Sequence, residues 1–102
     1  MENNRKIEIE KFNGQSFELW KLKMEDLVVD KDQWIAVDPG TKPTGVTNEE
    51  WKKLDRKAKS TIQLCVSNSV LLNISVKAIA KALWDKLGTL YQYKSLVNQL
   101  FL

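Results

Sequence analysis

Trp20, Trp51 and Trp84 each stand in a separate run of apolar residues at helical spacing, and no other feature limits so strongly what this chain can become. In the first run Phe17, Trp20, Met24, Leu27 and Val28 recur every three or four residues. Such a stripe is the core-facing side of an amphipathic helix. Glu18, Lys21, Lys23, Glu25 and Asp26 fall largely outside it, and Ser16 stands where an N-cap hydroxyl would accept from the first-turn amides. The second run is Trp51, Leu54, Ala58, Ile62 and Cys65, with Thr61 beside it. Thr47 and Glu50 precede it at capping-box spacing. This helix is expected to run about 18 residues and to stop near Ser67-Asn68-Ser69, where residues that favour caps over helix interiors cluster. The third tryptophan sits among Ile79, Ala80, Leu83, Leu87, Leu90 and Tyr91, behind Ser75 as a candidate cap. Gly88 in that run marks a close helix contact or an early end, since glycine costs about 1 kcal/mol against alanine inside a helix.

Shorter segments complete the outline. Ser69 is placed to cap a brief helix through Val70, Leu71, Leu72 and Ile74, and Ser95 to open a last one through Leu96, Val97, Leu100, Phe101 and Leu102. The Leu-Phe-Leu ending reads as a helix cut short, so the expected domain, residues 16–102, is truncated within its last helix. Between Asp30 and Val46 the period breaks. Trp34, Ile35 and Val37 suit one helical turn docked on the core, and Pro39-Gly40, Pro43 and Gly45 then impose a loop long enough to have a function of its own. Residues 1–15 read as an extended arm. There Lys6-Ile7-Glu8-Ile9-Glu10 alternates as a strand with one buried face does, and Asn13-Gly14 signals a turn. The expectation is an all-α, compact bundle of about five helices with an extended N-terminal arm.

Composition agrees with a single domain. A chain of 102 residues with 43% apolar and 28% charged residues has the make-up of a folded globule. At this length roughly 65% of the unfolded chain's surface can be buried, so no staples are needed. The N-terminus lacks the apolar stretch of a signal peptide, and no run approaches the length of a membrane span. Cytoplasm, nucleus or a particle assembled there is the expected location.

The residues available exclude most enzyme chemistry. There is no histidine, which removes the commonest general base and zinc ligand, and the single cysteine, Cys65, falls on an apolar stripe with no base to activate it. Glu25-Asp26 and Glu49-Glu50 are adjacent pairs, and adjacent residues on a helix diverge. The four glycines are scattered without the spacing of a phosphate-binding loop. No catalytic, cofactor-binding or metal-binding set can be assembled.

Charge is more informative. Residues 1–51 carry seven basic and eleven acidic side chains, a net of −4, whereas residues 52–102 carry nine and two, a net of +7. Uneven solvated faces would account for this; so would head-to-tail self-association or a polyanionic partner. The densest cluster is Lys52, Lys53, Arg56, Lys57 and Lys59 on the outer side of the second helix, a candidate surface for RNA or an acidic partner. No exposed aromatics alternate with these cations, as a strand-tracking nucleic-acid site would have them. In the arm, Ile7, Ile9 and Phe12 form a second candidate interface, able to add to a neighbour or exchange between protomers.

Lys11-Phe12-Asn13-Gly14 followed by Trp20-Lys21 and Met24 resembles the opening of the Gag polyprotein of copia-type LTR retrotransposons, where a Lys-Phe-Asp/Asn-Gly turn precedes the tryptophan of the first helix. The order continues with Trp34, with Trp51, Asp55, Ala58 and Thr61-Ile62, and with Ala80-Lys81-Ala82-Leu83-Trp84-Asp85-Lys86-Leu87 before Leu90-Tyr91. Lys94-Ser95-Leu96 with Asn98 and Leu100 is similar to the start of that family's next helix, and the likeness spans residues 8–102. It implies a helical capsid-type domain, like the N-terminal domain of a retroviral capsid. Such a domain has no catalysis and no cofactor, and acts by self-assembly into cytoplasmic virus-like particles around the element's RNA. The Cys/His zinc knuckle with which Gag grips RNA has no counterpart in these residues. The resemblance leaves three readings open: an assembly domain, a small module binding RNA or an acidic partner through residues 52–59, and a Gag-derived host protein whose groove takes peptides.

Overall fold

The computed structural model describes residues 9–74 and 79–92. Its elements in order are α1 (Phe17–Asp30), a single 3-10 turn (Trp34–Ala36), α2 (Asn48–Leu64), α3 (Asn68–Ile74) and α4 (Ala80–Leu87), which widens into a π-helical turn over Gly88–Gln92. The fold is all-α. Among the described residues there are four α-helices rather than about five, because the segment expected to begin at Ser95 lies outside them, as does the cap expected at Ser75.

The apolar stripes do what their spacing implies. Phe17, Trp20, Met24, Leu27 and Val28 of α1 are buried, as are Ala58 and Ile62 of α2, Val70 and Ile74 of α3, and Ala80, Leu83 and Leu87 of α4. They close on one another as a single core, with Trp51, Leu54, Cys65 and Trp84 half-buried against it. Trp20 stacks on Trp84 with centroids 5.9 Å apart, and Trp84 meets Trp34 edge-on at 5.6 Å, so two helices and the 3-10 turn share one aromatic seam. Ala36 and Val37 complete the docking of that turn. Beyond it Gly40, at φ +75°, passes so close to α4 that a Cβ there would lie 2.8 Å from Cβ of Lys81.

Some helix ends follow the expected chemistry and others depart from it. At α2 the capping box is complete: Thr47 Oγ1 accepts from the Glu50 N–H and Glu50 Oε1 accepts from the Thr47 N–H, both at 3.1 Å. Ser16 makes no such bond. It adopts the left-handed region at φ 55°, which carries its hydroxyl away from the first-turn amides. At α3 the helix begins two residues early, and Ser67, not Ser69, takes the capping role by accepting from the Val70 N–H at 3.4 Å. The first described amide of α4, Ala80 N–H, donates 2.9 Å to Oδ1 of Asp55, a side chain of α2. Gly88 ends the α-helical stretch, and a Cβ there would meet nothing nearer than 3.8 Å, so the early end is realised and the close contact is not.

The inner end of the arm is part of the domain. Phe12 donates its N–H to the Cys65 carbonyl (2.9 Å), and its own carbonyl accepts from the Ser67 N–H (2.8 Å), making an isolated parallel bridge beside Val66. Its ring packs within 4.9–5.5 Å of Tyr91, Trp20 and Phe17.

Candidate interaction surfaces

On α2 the side opposite the core stripe is cationic. Lys52, Lys53, Arg56 and Lys57 are exposed and Lys59 is half-buried. Spacings of three, four and seven residues bring Lys52, Arg56 and Lys59 into one row, with Lys53 and Lys57 forming a second row beside it. Among the described residues the one ion pair is Lys81–Asp85 at 3.1 Å on α4, so these five charges have no carboxylate partner among the described residues. A rigid helix carrying two rows of cations can meet a phosphate backbone or an acidic protein surface. Lys57 also serves the fold through its backbone: Thr61 Oγ1 lies 2.9 Å from the Lys57 carbonyl and 2.7 Å from Oε1 of the buried Gln33, its one proton serving either acceptor.

The arm residues separate. Ile7 lies outside the described residues. Ile9 is half-buried against the core. Phe12 is 2% exposed, so its ring is a core anchor and offers no surface to a partner. The sequence grouped Phe12 with Ile7 and Ile9 as a candidate interface; backbone pairing with Cys65 and Ser67 holds it at the core instead.

Two further surfaces had no place in the sequence reading. One is an open cleft of about 620 Å³ between α1, the 3-10 turn and α4, floored by Trp34 and Trp84 and rimmed by Lys21, Glu25, Asp38 and the paired Lys81 and Asp85. The other is the outer side of α1, where Leu19, Leu22 and Val29 are 57%, 62% and 53% exposed. Its signal was present in the sequence: three aliphatic residues on the polar side of a helix whose inner stripe is already complete.

The described residues contain no group of three or more potential metal ligands, and no helix among them is long and apolar enough to cross a membrane. Cys65 is half-buried, and burial pushes its thiol above the ordinary range while Lys31 and Lys11 pull weakly the other way. The thiolate needed for nucleophilic work is thus disfavoured.

Comparison with known proteins supplies the family. Residues 24–102 match the family model described as gag-polypeptide of LTR copia-type. The chain belongs to the copia-type Gag family. A relative from Nicotiana tabacum, the Retrovirus-related Pol polyprotein from transposon TNT 1-94, is 36% identical over 99 residues, covering 95% of this chain and 8% of that protein. The Gag chain therefore spans about one-twelfth of the length of the curated relative it matches. No solved structure matches it.

Within this Gag domain the residues that carried the resemblance are structural. Ala80, Leu83, Leu87 and Tyr91 are buried, Trp84 joins Trp20 to Trp34, and Asp55 holds the start of α4. Over this stretch the matching residues that the structure describes lie largely in the core or at a helix cap.

Proposed function

We propose that this Gag domain is a structural assembly module that performs no chemistry and acts by repeated contact between copies of itself, building virus-like particles in the cytoplasm. The observation that carries this reading is membership of the copia-type Gag family over most of the chain. Two physical features support it. A single core joins all four helices, so the domain can act as a rigid block. The charge of the two halves of the chain, −4 and +7, suits contacts between unlike surfaces of successive copies, which close into rings or propagate. Lysine-directed cross-linking at rising protein concentration tests it. A ladder of dimers and higher species that grows with concentration is expected, and monomer alone at every concentration would refute it.

The second reading is favoured by the cations of α2, which make no ion pair among the described residues. In it Lys52, Lys53, Arg56, Lys57 and Lys59 hold RNA or an acidic partner, with salt-dependent affinity. Fluorescence anisotropy with a short single-stranded RNA separates the two. The combined variant Lys53→Glu, Arg56→Glu and Lys57→Glu loses RNA binding in the second reading and alters no RNA binding in the first.

A further inference from the structure

α1 is apolar on two sides. Its inner stripe is buried, while Leu19, Leu22, Lys23, Asp26, Val29 and Asp30 form one continuous exposed strip along the other side. A surface helix ordinarily keeps that side polar, whereas here three exposed aliphatic side chains stand among three charged ones. Leu19, Leu22 and Val29 fall three and seven residues apart, and Asp26 takes the position between the last two. This is the three-four-three spacing of a helix-pairing seam.

The charges on the strip decide what can cover it. Lys23 lies in the first half of α1, and Asp26 and Asp30 lie in the second. A parallel copy would set Asp26 against Asp26 and Asp30 against Asp30. An antiparallel copy sets Leu19 over Val29 of the second molecule and brings Lys23 beside its Asp26; the two-fold axis repeats both contacts. Leu19 and Lys23 also line a groove of about 240 Å³ whose far wall is Ile9, Glu10, Lys11 and Asn13, and this groove can accept the Val29 end of the second helix.

We propose that the outer strip of α1 is a homodimer contact, pairing antiparallel with the same strip of a second copy, Leu19 on Val29 and Lys23 beside Asp26. The proposal rests on the assembly reading and names a surface for it. The whole of α1 is 14 residues, or about 21 Å, long, so a seam along it is below the scale of a permanent interface. Pairing in dilute solution is therefore weak, and gains strength where many copies are held together. A two-fold contact closes on itself, so a particle needs at least one further contact of another kind.

A dilution series of amide nitrogen–proton spectra on the full chain tests this. The expected result is concentration-dependent shifts centred on Leu19, Leu22, Lys23, Asp26, Val29 and Asp30. Leu22→Glu should abolish them and leave the melting midpoint unchanged. Lys23→Asp alone and Asp26→Lys alone should each raise the dimer Kd about tenfold, and the two together should restore it. Shifts that map to another surface, such as the basic rows of α2, overturn the α1 contact and leave the assembly reading standing. Spectra independent of concentration overturn both. A large fall in melting midpoint for Leu22→Glu shows that the chain covers this strip itself, and overturns the dimer contact.

Discussion

At the scale of single residues, Trp20 and the Cys65 backbone form the joint on which the arm, α1 and α2 meet. The Cys65 carbonyl accepts both the Phe12 N–H at 2.9 Å and the Trp20 indole N–H at 3.0 Å. Trp20→Phe removes that second bond and part of the stacking on Trp84. It should lower unfolding free energy by about 1–3 kcal/mol in a denaturant titration. The Cys65 thiol, raised by burial, should react slowly with a disulfide reagent at neutral pH, and at the rate of a free thiol once the chain is unfolded. Glu50 gives a pH signature. Its bond from the Thr47 backbone N–H, and then its contact with the Thr47 side chain, hold the carboxyl below its usual range. A depressed carboxylate contributes stability above its unfolded pKa and loses it as the pH falls through the folded one. The midpoint gap between the native chain and Glu50→Gln should therefore be widest at neutral pH and fade below the usual carboxylate range.

Elements were legible in the sequence where their determinants are local. The stripe from Phe17 to Val28 runs over about three turns of one helix and the box at Thr47 and Glu50 over less than one, and periodicity and spacing were enough for both. What could not be read was set from afar. Asp55 caps α4 across 25 residues of sequence, and Phe12 is turned inward by backbone partners more than 50 residues away. Ser16 and Ser67 show the limit even for local signals: both are good cap residues, and only the backbone conformation decides which hydroxyl faces an amide. Asp55→Ala should cost about 1 kcal/mol by unpairing the first described amide of α4, seen as a fall of about 4–8 °C in melting midpoint. The seam on α1 was missed for another reason. Leu19, Leu22 and Val29 lie on the side that an amphipathic helix ordinarily leaves polar, interleaved with Lys23, Asp26 and Asp30.

For the whole molecule, the tryptophan-bearing stripes that mark this chain as Gag meet in the core, and the outer faces of α1 and α2 are where the proposed contacts lie. The two faces differ in chemistry, one apolar with mixed charge and one cationic, so salt should act on them differently. Reversing Lys53, Arg56 and Lys57 to Glu should leave the melting midpoint nearly unchanged, because those side chains are exposed and make no ion pair with the described residues. The same change should weaken any contact between the acidic and basic halves of successive copies. Sedimentation velocity over a wide concentration range, at low and at high salt, tests the central claim of self-assembly most directly. The account predicts a sedimentation coefficient that rises with concentration, and rises less at high salt. A single species of 11.8 kDa at every concentration and salt would contradict it.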